Sequence, residues 1–293
     1  MVIAQITGGL GNQLFQYSAA KSLSLYHNTP LMLEVSSFYR EELPDLEVPR
    51  DFELFHFEGI NEEIISPEDL AKIISLNKKS ILPKKMIPAH RKEIYTEAYY
   101  HFDKKFFNAR NKVFLKGGWQ SEKYFKKHEK AIRNNLRLKP ALFENVIEKA
   151  KTIKQQNSVA VHIRRGDYLR KKIIYEWHGV MNKDYYEKAF QLLSSRVKDL
   201  KIYYFTDDPD WVNNTLMPSF NGEILSGSIT TSHLEDFYLM SKCRHNIIAN
   251  SSFSWWGAWL NDNPNKIVIA PEKWFGNGPK DIQDIIPVEW CKI

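Results

Sequence analysis

Val2-Ile-Ala-Gln-Ile-Thr-Gly8-Gly9-Leu10-Gly11-Asn12-Gln13-Leu14-Phe15 is the stretch that decides the fold class. Residues 2–6 are apolar enough for a buried strand. Residues 7–11 are a glycine-rich turn. Residues 12–26 place Leu14, Phe15, Ala19 and Leu23 at helical spacing. A second strand, residues 31–35, follows the Asn28-Thr29-Pro30 turn. Strand, turn, helix and strand in this order open an α/β domain with parallel strands.

The same order returns in the second half. Strands are expected at 159–163, 202–205, 246–249 and 267–270. Helices are expected at 184–196, 208–215, 233–242 and 254–260. Between the halves, Pro44, Pro49, Pro67, Pro83 and Pro88 break the chain into short pieces, with helix expected at 67–76, 121–136 and 140–155. The polar Gln155-Gln156-Asn157 break sets a boundary, giving α/β domains at 1–156 and 157–293. Two such domains would face each other across a cleft at the C-terminal ends of their strands.

With 293 residues, 43% hydrophobic and 26% charged, the chain is neither disordered nor fibrous. Two cysteines exclude a disulfide framework and a cysteine-rich zinc site, which points to a reducing compartment. No leader and no apolar run of membrane-spanning length are read, so a cytoplasmic protein is expected. The net charge of +6 is unevenly spread. Residues 78–139 hold 18 Lys+Arg against 5 Asp+Glu, so the remainder is mildly acidic.

Four stretches carry groups that can do chemistry. The first is the glycine turn. Glycines between strand and helix let backbone approach a phosphate, and the helix start offers free N–H groups. A dinucleotide fingerprint fits only in part, because Leu14 stands where a third glycine is needed, although Glu34 lies at a plausible distance for a ribose contact. Ligand contact and a plain tight turn both fit. The second is His162-Ile-Arg164-Arg165-Gly166-Asp167, where an apolar strand ends in an imidazole, two guanidinium groups and a carboxylate. Arginine can clamp a phosphate at any working pH. The plain reading is an exposed basic turn paired with Asp167. The third is Thr206-Asp207-Asp208-Pro209-Asp210, able to accept hydrogen bonds from ribose or a purine edge, or simply to cap a helix. A metal at Asp208 and Asp210 is disfavoured, because Pro209 suits a first helical turn. The fourth is Asn250-Ser251-Ser252-Phe253-Ser254-Trp255-Trp256-Gly257, where hydroxyl groups stand at a helix start and the tryptophans read as core.

Gly8 to Gln16, the His162 to Asp167 hexapeptide, Thr206 to Asp208 and Asn250 to Gly257 together resemble the motifs of the α-1,2-fucosyltransferases of glycosyltransferase family 11. The resemblance spans nearly the whole chain and is sharpest at His-x-Arg-x-Gly-Asp. It implies a GT-B-like fold of two Rossmann-like domains, with the donor held mainly by the C-terminal one and the acceptor by the N-terminal one. It implies an inverting, metal-independent transfer of L-fucose from GDP-β-L-fucose to the 2-hydroxyl of a galactose. Arg164 would hold the diphosphate and His162 the nucleotide. Asp207 or Asp208 would read guanine or ribose. Asn250, Ser251, Ser252 and Phe253 would line the donor, joined by Arg165, and by Gly9, Gly11, Asn12 and Gln13 from the other domain. Asp167 is the favoured general base, with Glu176 and His178 as alternatives. Arg164 would stabilise the departing GDP. No cofactor and no nucleic-acid partner are expected.

Two other readings stay open: a nucleotide-dependent oxidoreductase built on the glycine turn, and a non-catalytic glycan- or nucleotide-binding protein. The basic stretch at 78–139 is read either as a face toward an anionic membrane bearing a lipid-linked, galactose-terminated oligosaccharide at the inner side of the plasma membrane, or as a solvated lysine-rich surface.

Overall fold

The structure, a computed structural model, describes residues 1–40, 48–75 and 87–293. The chain forms two compact units. One comprises Met1–Arg137 with Lys280–Pro287, and the other Leu138–Pro279 with Val288–Ile293. Lys78, Lys79, Lys84 and Lys85 of the basic stretch, with Pro44, Pro83 and Leu76, lie outside the described residues.

The first unit contains β1 (Val2–Gln5), α1 (Leu10–His27), β2 (Leu31–Glu34), β3 (Glu63–Ile64), α2 (Pro67–Ser75), β4 (Ile94–Thr96), β5 (Val113–Lys116) and α3 (Glu129–Asn135). Among the described residues its five strands are parallel in the order β3-β2-β1-β5-β4. β1 is central and fully covered, pairing Val2 with both Leu31 and Val113. This is why residues 2–4 are a continuous apolar run rather than an alternating one. Gly11, expected in the turn, lies instead in the first turn of α1. The helix expected at 121–136 is two short 3-10 turns followed by α3.

The second unit contains α4 (Ile147–Gln155), β6 (Ser158–Ile163), α5 (Gly166–Arg170), α6 (Lys172–His178), α7 (Lys183–Ser194), β7 (Lys201–Thr206), α8 (Pro209–Thr215), β8 (Glu223–Ile224), α9 (His233–Lys242), β9 (His245–Ile247), α10 (Ser252–Leu260), β10 (Val268–Ala270) and β11 (Cys291–Lys292). Its parallel sheet runs β11-β10-β9-β6-β7-β8. β6 divides its side chains between two cores. Val159, Val161 and Ile163 pack with Tyr186, Phe190 and Val212. Ala160 packs with Ala150, Ile153, Leu239 and Met240 on the other face. Trp255, Trp256 and Trp259 of α10 are essentially fully buried, so they are core.

The boundary therefore needs correction. α4 precedes the polar break at 155–157, yet Ala150 and Ile153 belong to the core beneath β6 and β7, so the units divide at 137/138. The chain also returns to the first unit at 280–287. There Asp281 accepts a hydrogen bond from the Tyr100 N–H at 2.9 Å and Asp284 one from the Phe102 N–H at 2.9 Å.

Candidate active site

In the second sheet the chain starts at β6, adds β7 and β8 on one side, then crosses to β9 and beyond on the other. The point where strand order reverses lies between β6 and β9, and ligands of open α/β sheets bind beyond the strand ends there. Arg164 follows β6, Asp207 and Asp208 follow β7, and Asn250 to Ser252 follow β9.

Arg164 is gripped by two carboxylates. Its Nη2 donates to Asp167 Oδ2 at 2.6 Å, and its Nη1 lies 2.9 Å from Asp207 Oδ2. Burial works against its charge, but Asp207 and Asp167 hold its pKa above the ordinary arginine value. The guanidinium also lies 5.8 Å from the Tyr168 ring centre. Gly166 makes this packing possible, since a Cβ there would come within 2.9 Å of Asp207 Oδ2.

Arg165 turns elsewhere. Its Nε donates to Asp208 Oδ2 at 2.9 Å, its guanidinium covers Trp211 at 4.6 Å, and its backbone N–H donates to Asp207 Oδ1 at 2.8 Å. Asp208 is the N-cap of α8, accepting from the Trp211 N–H at 3.1 Å. Both Asp208 oxygens are thus engaged, Oδ2 tying the ends of β6 and β7 together and Oδ1 capping α8.

His162 points to the α9 and α10 face, its ring 5.7 Å from that of Phe253. It is buried and its Nδ1 has no hydrogen-bond partner. Desolvation, helped by the Arg164 charge, pushes its pKa down to about 3, so it is a neutral ring at working pH.

Asn250 is buried, and its amide nitrogen faces the carbonyl oxygens of His178, Trp274 and Gly179 at 2.9, 3.1 and 3.3 Å. A phosphate needs donors, and this donor is occupied, so Asn250 braces two loops rather than lining a phosphate. Ser251 is the N-cap of α10 and makes no side-chain capping bond, and Ser252 stands in the first turn. Their hydroxyls and the N–H groups of that turn are the kind of donors that can serve an anion, backed by the helix dipole. The three candidate bases differ in setting. Asp167 is committed to Arg164. Glu176 is exposed, 3.7 Å from Lys172. His178 stacks on Tyr168 at 4.6 Å, and burial lowers its pKa.

At the glycine turn, Gly8 has φ +73° and a Cβ there would meet Asn12 Nδ2 at 2.9 Å, so glycine is required. Gly9 is the N-cap of α1. Gln13 is fully buried. Its Nε2 donates to the carbonyl oxygens of Gly8 and Asp51, both at 2.8 Å, and its Oε1 accepts from the Glu53 N–H at 2.9 Å. It stabilises the turn and does not present a polar group outward. Glu34 is likewise buried, its Oε1 accepting from the Ser36 N–H at 2.8 Å, which removes it from any ribose contact. Asn12 accepts at Oδ1 from Gln120 Nε2 at 2.9 Å. Gln120 and the loop carrying it were not singled out from the sequence. Their signal is similar to that at the amino terminus, an apolar run at residues 113–115 followed, after Lys116, by Gly117 and Gly118.

Among the described residues, no three His, Cys, Asp or Glu side chains are grouped to hold a metal ion. No helix among them is long and apolar enough to cross a membrane.

Comparison with known proteins gives findings of three kinds: a family model, relatives and a solved structure. The model of Glycosyl transferase family 11 matches residues 53–293. An alpha-1,2-colitosyltransferase of Escherichia coli is 31% identical over 305 residues, covering 100% of this chain and 99% of that protein. The O-antigen biosynthesis glycosyltransferase WbnK of Escherichia coli is 31% identical, covering 94% of this chain and 95% of its own length. A galactoside 2-alpha-L-fucosyltransferase Sec1 of Mus musculus matches locally, 31% identical over 35% of this chain and 28% of that one. Among solved structures, the NodZ alpha-1,6-fucosyltransferase soaked with GDP-fucose superimposes with a TM-score of 0.51 at 15% identity, covering 87% of this chain and 90% of that one, a likeness of fold. The two parallel α/β sheets are those of a GT-B fold.

Proposed function

Because the chain belongs to glycosyltransferase family 11, we propose that it transfers L-fucose from GDP-β-L-fucose to the 2-hydroxyl of a galactose in a glycan, inverting the anomeric centre without a metal ion. The observation that carries this reading is Arg164, held by Asp167 and Asp207 beyond β6 at the reversal of strand order. Loss of GDP from the sugar puts negative charge on the β-phosphate. A fixed guanidinium, the Ser251 and Ser252 hydroxyls and the start of α10 would meet that charge without reorganising. Neutral His162 and the Phe253 ring suit the nucleoside end of the donor. Asp207 and Asp208 then serve mainly to fix Arg164 and Arg165.

An oxidoreductase role is not supported, since Glu34 is occupied and the family is one of transferases. One finding favours a second donor. One of the relatives that match over nearly their full length is named for colitose, the 3-deoxy counterpart of L-fucose. We also propose peripheral contact with an anionic membrane through the basic stretch at 78–139, where a lipid-linked acceptor would be presented. Part of that charge is already paired, as in Arg133 with Glu129 at 2.8 Å and Lys126 with Glu122 at 3.0 Å. Binding to phosphatidylglycerol vesicles that is insensitive to salt would remove this element.

The test is transfer from GDP-L-fucose and GDP-colitose to galactose-terminated oligosaccharides, with and without EDTA, followed by linkage analysis. Arg164→Ala is expected to fold normally and lose roughly 10²- to 10³-fold in kcat. Near-normal turnover in that variant, or collapse in EDTA with recovery in Mn²⁺, would overturn the corresponding part of the proposal.

A further inference from the structure

Glu97 stands just past β4 in the first unit, in a segment no motif marked. Its Oε2 accepts from the Gly118 N–H at 2.7 Å and the Trp119 N–H at 3.0 Å, and its Oε1 lies 3.1 Å from the same Trp119 nitrogen. The loop it holds is conformationally demanding. Gly117 has φ +154° and Trp119, a buried non-glycine residue, has φ +53°. Left-handed backbone at a bulky residue costs free energy and concentrates at functional sites. The next residue, Gln120, donates to Asn12 beside the glycine turn. Carboxylate, loop and turn thus lie beyond β4, β5 and β1, which are neighbours in the sheet. Strand order in this sheet reverses between β1 and β5, the ligand position of an open α/β sheet.

Beside Glu97 the chain exposes aromatic faces. Tyr99 is 52% and Tyr100 38% exposed, and Tyr99 stacks on His101 with ring centres 4.8 Å apart. A carboxylate next to exposed rings suits a sugar, whose hydroxyls need acceptors and whose C–H faces stack on aromatics.

We propose that Glu97, with Tyr99 and Tyr100, forms the acceptor-sugar site and that Glu97 is the general base of the transfer. This rests on the transferase function proposed above. The acceptor hydroxyl oxygen forms the new bond to the anomeric carbon. The carbon–oxygen bond to the diphosphate breaks, and its electron pair leaves on GDP. The hydroxyl proton passes to a Glu97 carboxylate oxygen and then to solvent.

The electrostatics agree with this role. Burial, reinforced by the charge of Asp281, raises the Glu97 carboxyl to about 7 despite the stabilising Trp119 and Gly118 N–H groups. Such a value suits a base working near neutrality. The other titratable groups facing it are Tyr95, Tyr100 and Tyr124, with Asp103 bonded to the Tyr95 hydroxyl and Asp284 behind Tyr124. Among the described residues no ammonium or guanidinium pairs with it.

The experiment compares the wild type with Glu97→Gln and Glu97→Asp in transfer kinetics across pH 5–9, alongside GDP affinity and thermal unfolding. Glu97→Gln is expected to keep GDP affinity and lose about 10²- to 10⁴-fold in kcat. The wild type is expected to lose kcat/KM as pH falls below about 7, a limb absent from the residual activity of Glu97→Gln. Glu97→Asp should recover part of the rate. A Glu97→Gln enzyme with kcat near normal, or with the acid limb intact, overturns the assignment. Should that variant not fold, Tyr99→Ala must raise the acceptor KM while leaving the donor KM unchanged, and an unchanged acceptor KM overturns it equally. If the wild type transfers from no nucleotide sugar, the transferase function fails and this assignment with it. Transfer by the wild type with an unimpaired Glu97→Gln sinks the assignment alone.

Discussion

His162, near the end of β6, is a histidine that stays uncharged at working pH. Its ring is buried beside Phe253, and desolvation, helped by the Arg164 charge, pushes its pKa down to about 3. In the unfolded chain it would titrate near 6.5. As pH falls from 6.5 toward 3, the unfolded state binds a proton that the folded state refuses, so folding stability falls over that window. At pH 5 the penalty is about 2 kcal/mol. His162→Gln should remove it, so denaturant unfolding of the variant is expected to change less between pH 7 and pH 5 than that of the wild type. Equal changes in the two proteins would show that His162 titrates normally. The same residue shows what sequence can convey. His162-Ile-Arg-Arg-Gly-Asp167 is legible as a strand end bearing charge. It does not reveal that Arg164 faces the site while Arg165 turns to Asp208 and Trp211, because that choice depends on β7, some forty residues further on.

Elements bearing strong local signals were legible, and those made by distant pairing were not. α9 was legible to the residue, because Ser232 and Glu235 form a reciprocal capping box at its start. α9 packs on the face of β6 that also carries His162, and Phe237 lies 5.4 Å from Phe253. Ser232→Ala is expected to cost about 1 kcal/mol of stability, read by urea unfolding with the wild-type slope retained. A loss below a few tenths would mean that the cap is redundant. β4 and β5 went unread. Three- and four-residue strands in a parallel sheet have no alternation to detect, and the prolines around β4 suggest loop. With β5 unread, the Gly117-Gly118 turn and Gln120 lost their context, and Glu97 with them.

At the scale of the molecule, Arg164, His162, Ser251 and Ser252 belong to the unit built on β6 to β11, and the carboxylate beside exposed tyrosines belongs to the other. Saturating GDP is therefore expected to slow amide exchange around the ends of β6, β7 and β9 and the start of α10, with little change around Glu97. Strong protection at Glu97 and none at Arg164 would reverse the assignment of donor and acceptor. The first strand of each sheet to appear in the chain was readable, since β1 and β6 are each followed by a turn and a helix. The division between units was not, because the polar break at 155–157 is only the end of a helix whose apolar face already belongs to the core of the second unit.

The excursion of residues 280–287 into the first unit has a consequence for how the molecule is made. Asp281 and Asp284 bond to the Tyr100 and Phe102 N–H groups, and Lys123 pairs with Asp284. The strap beside Tyr99 and Tyr100 is therefore tied down by carboxylates 181 and 182 residues further along the chain. Until that segment has been made, those N–H groups have no carboxylate to meet, and the first unit lacks part of its own wall. Residues 138–279, most of the second unit, are made in between, so the first unit is completed only after most of the second has been synthesised.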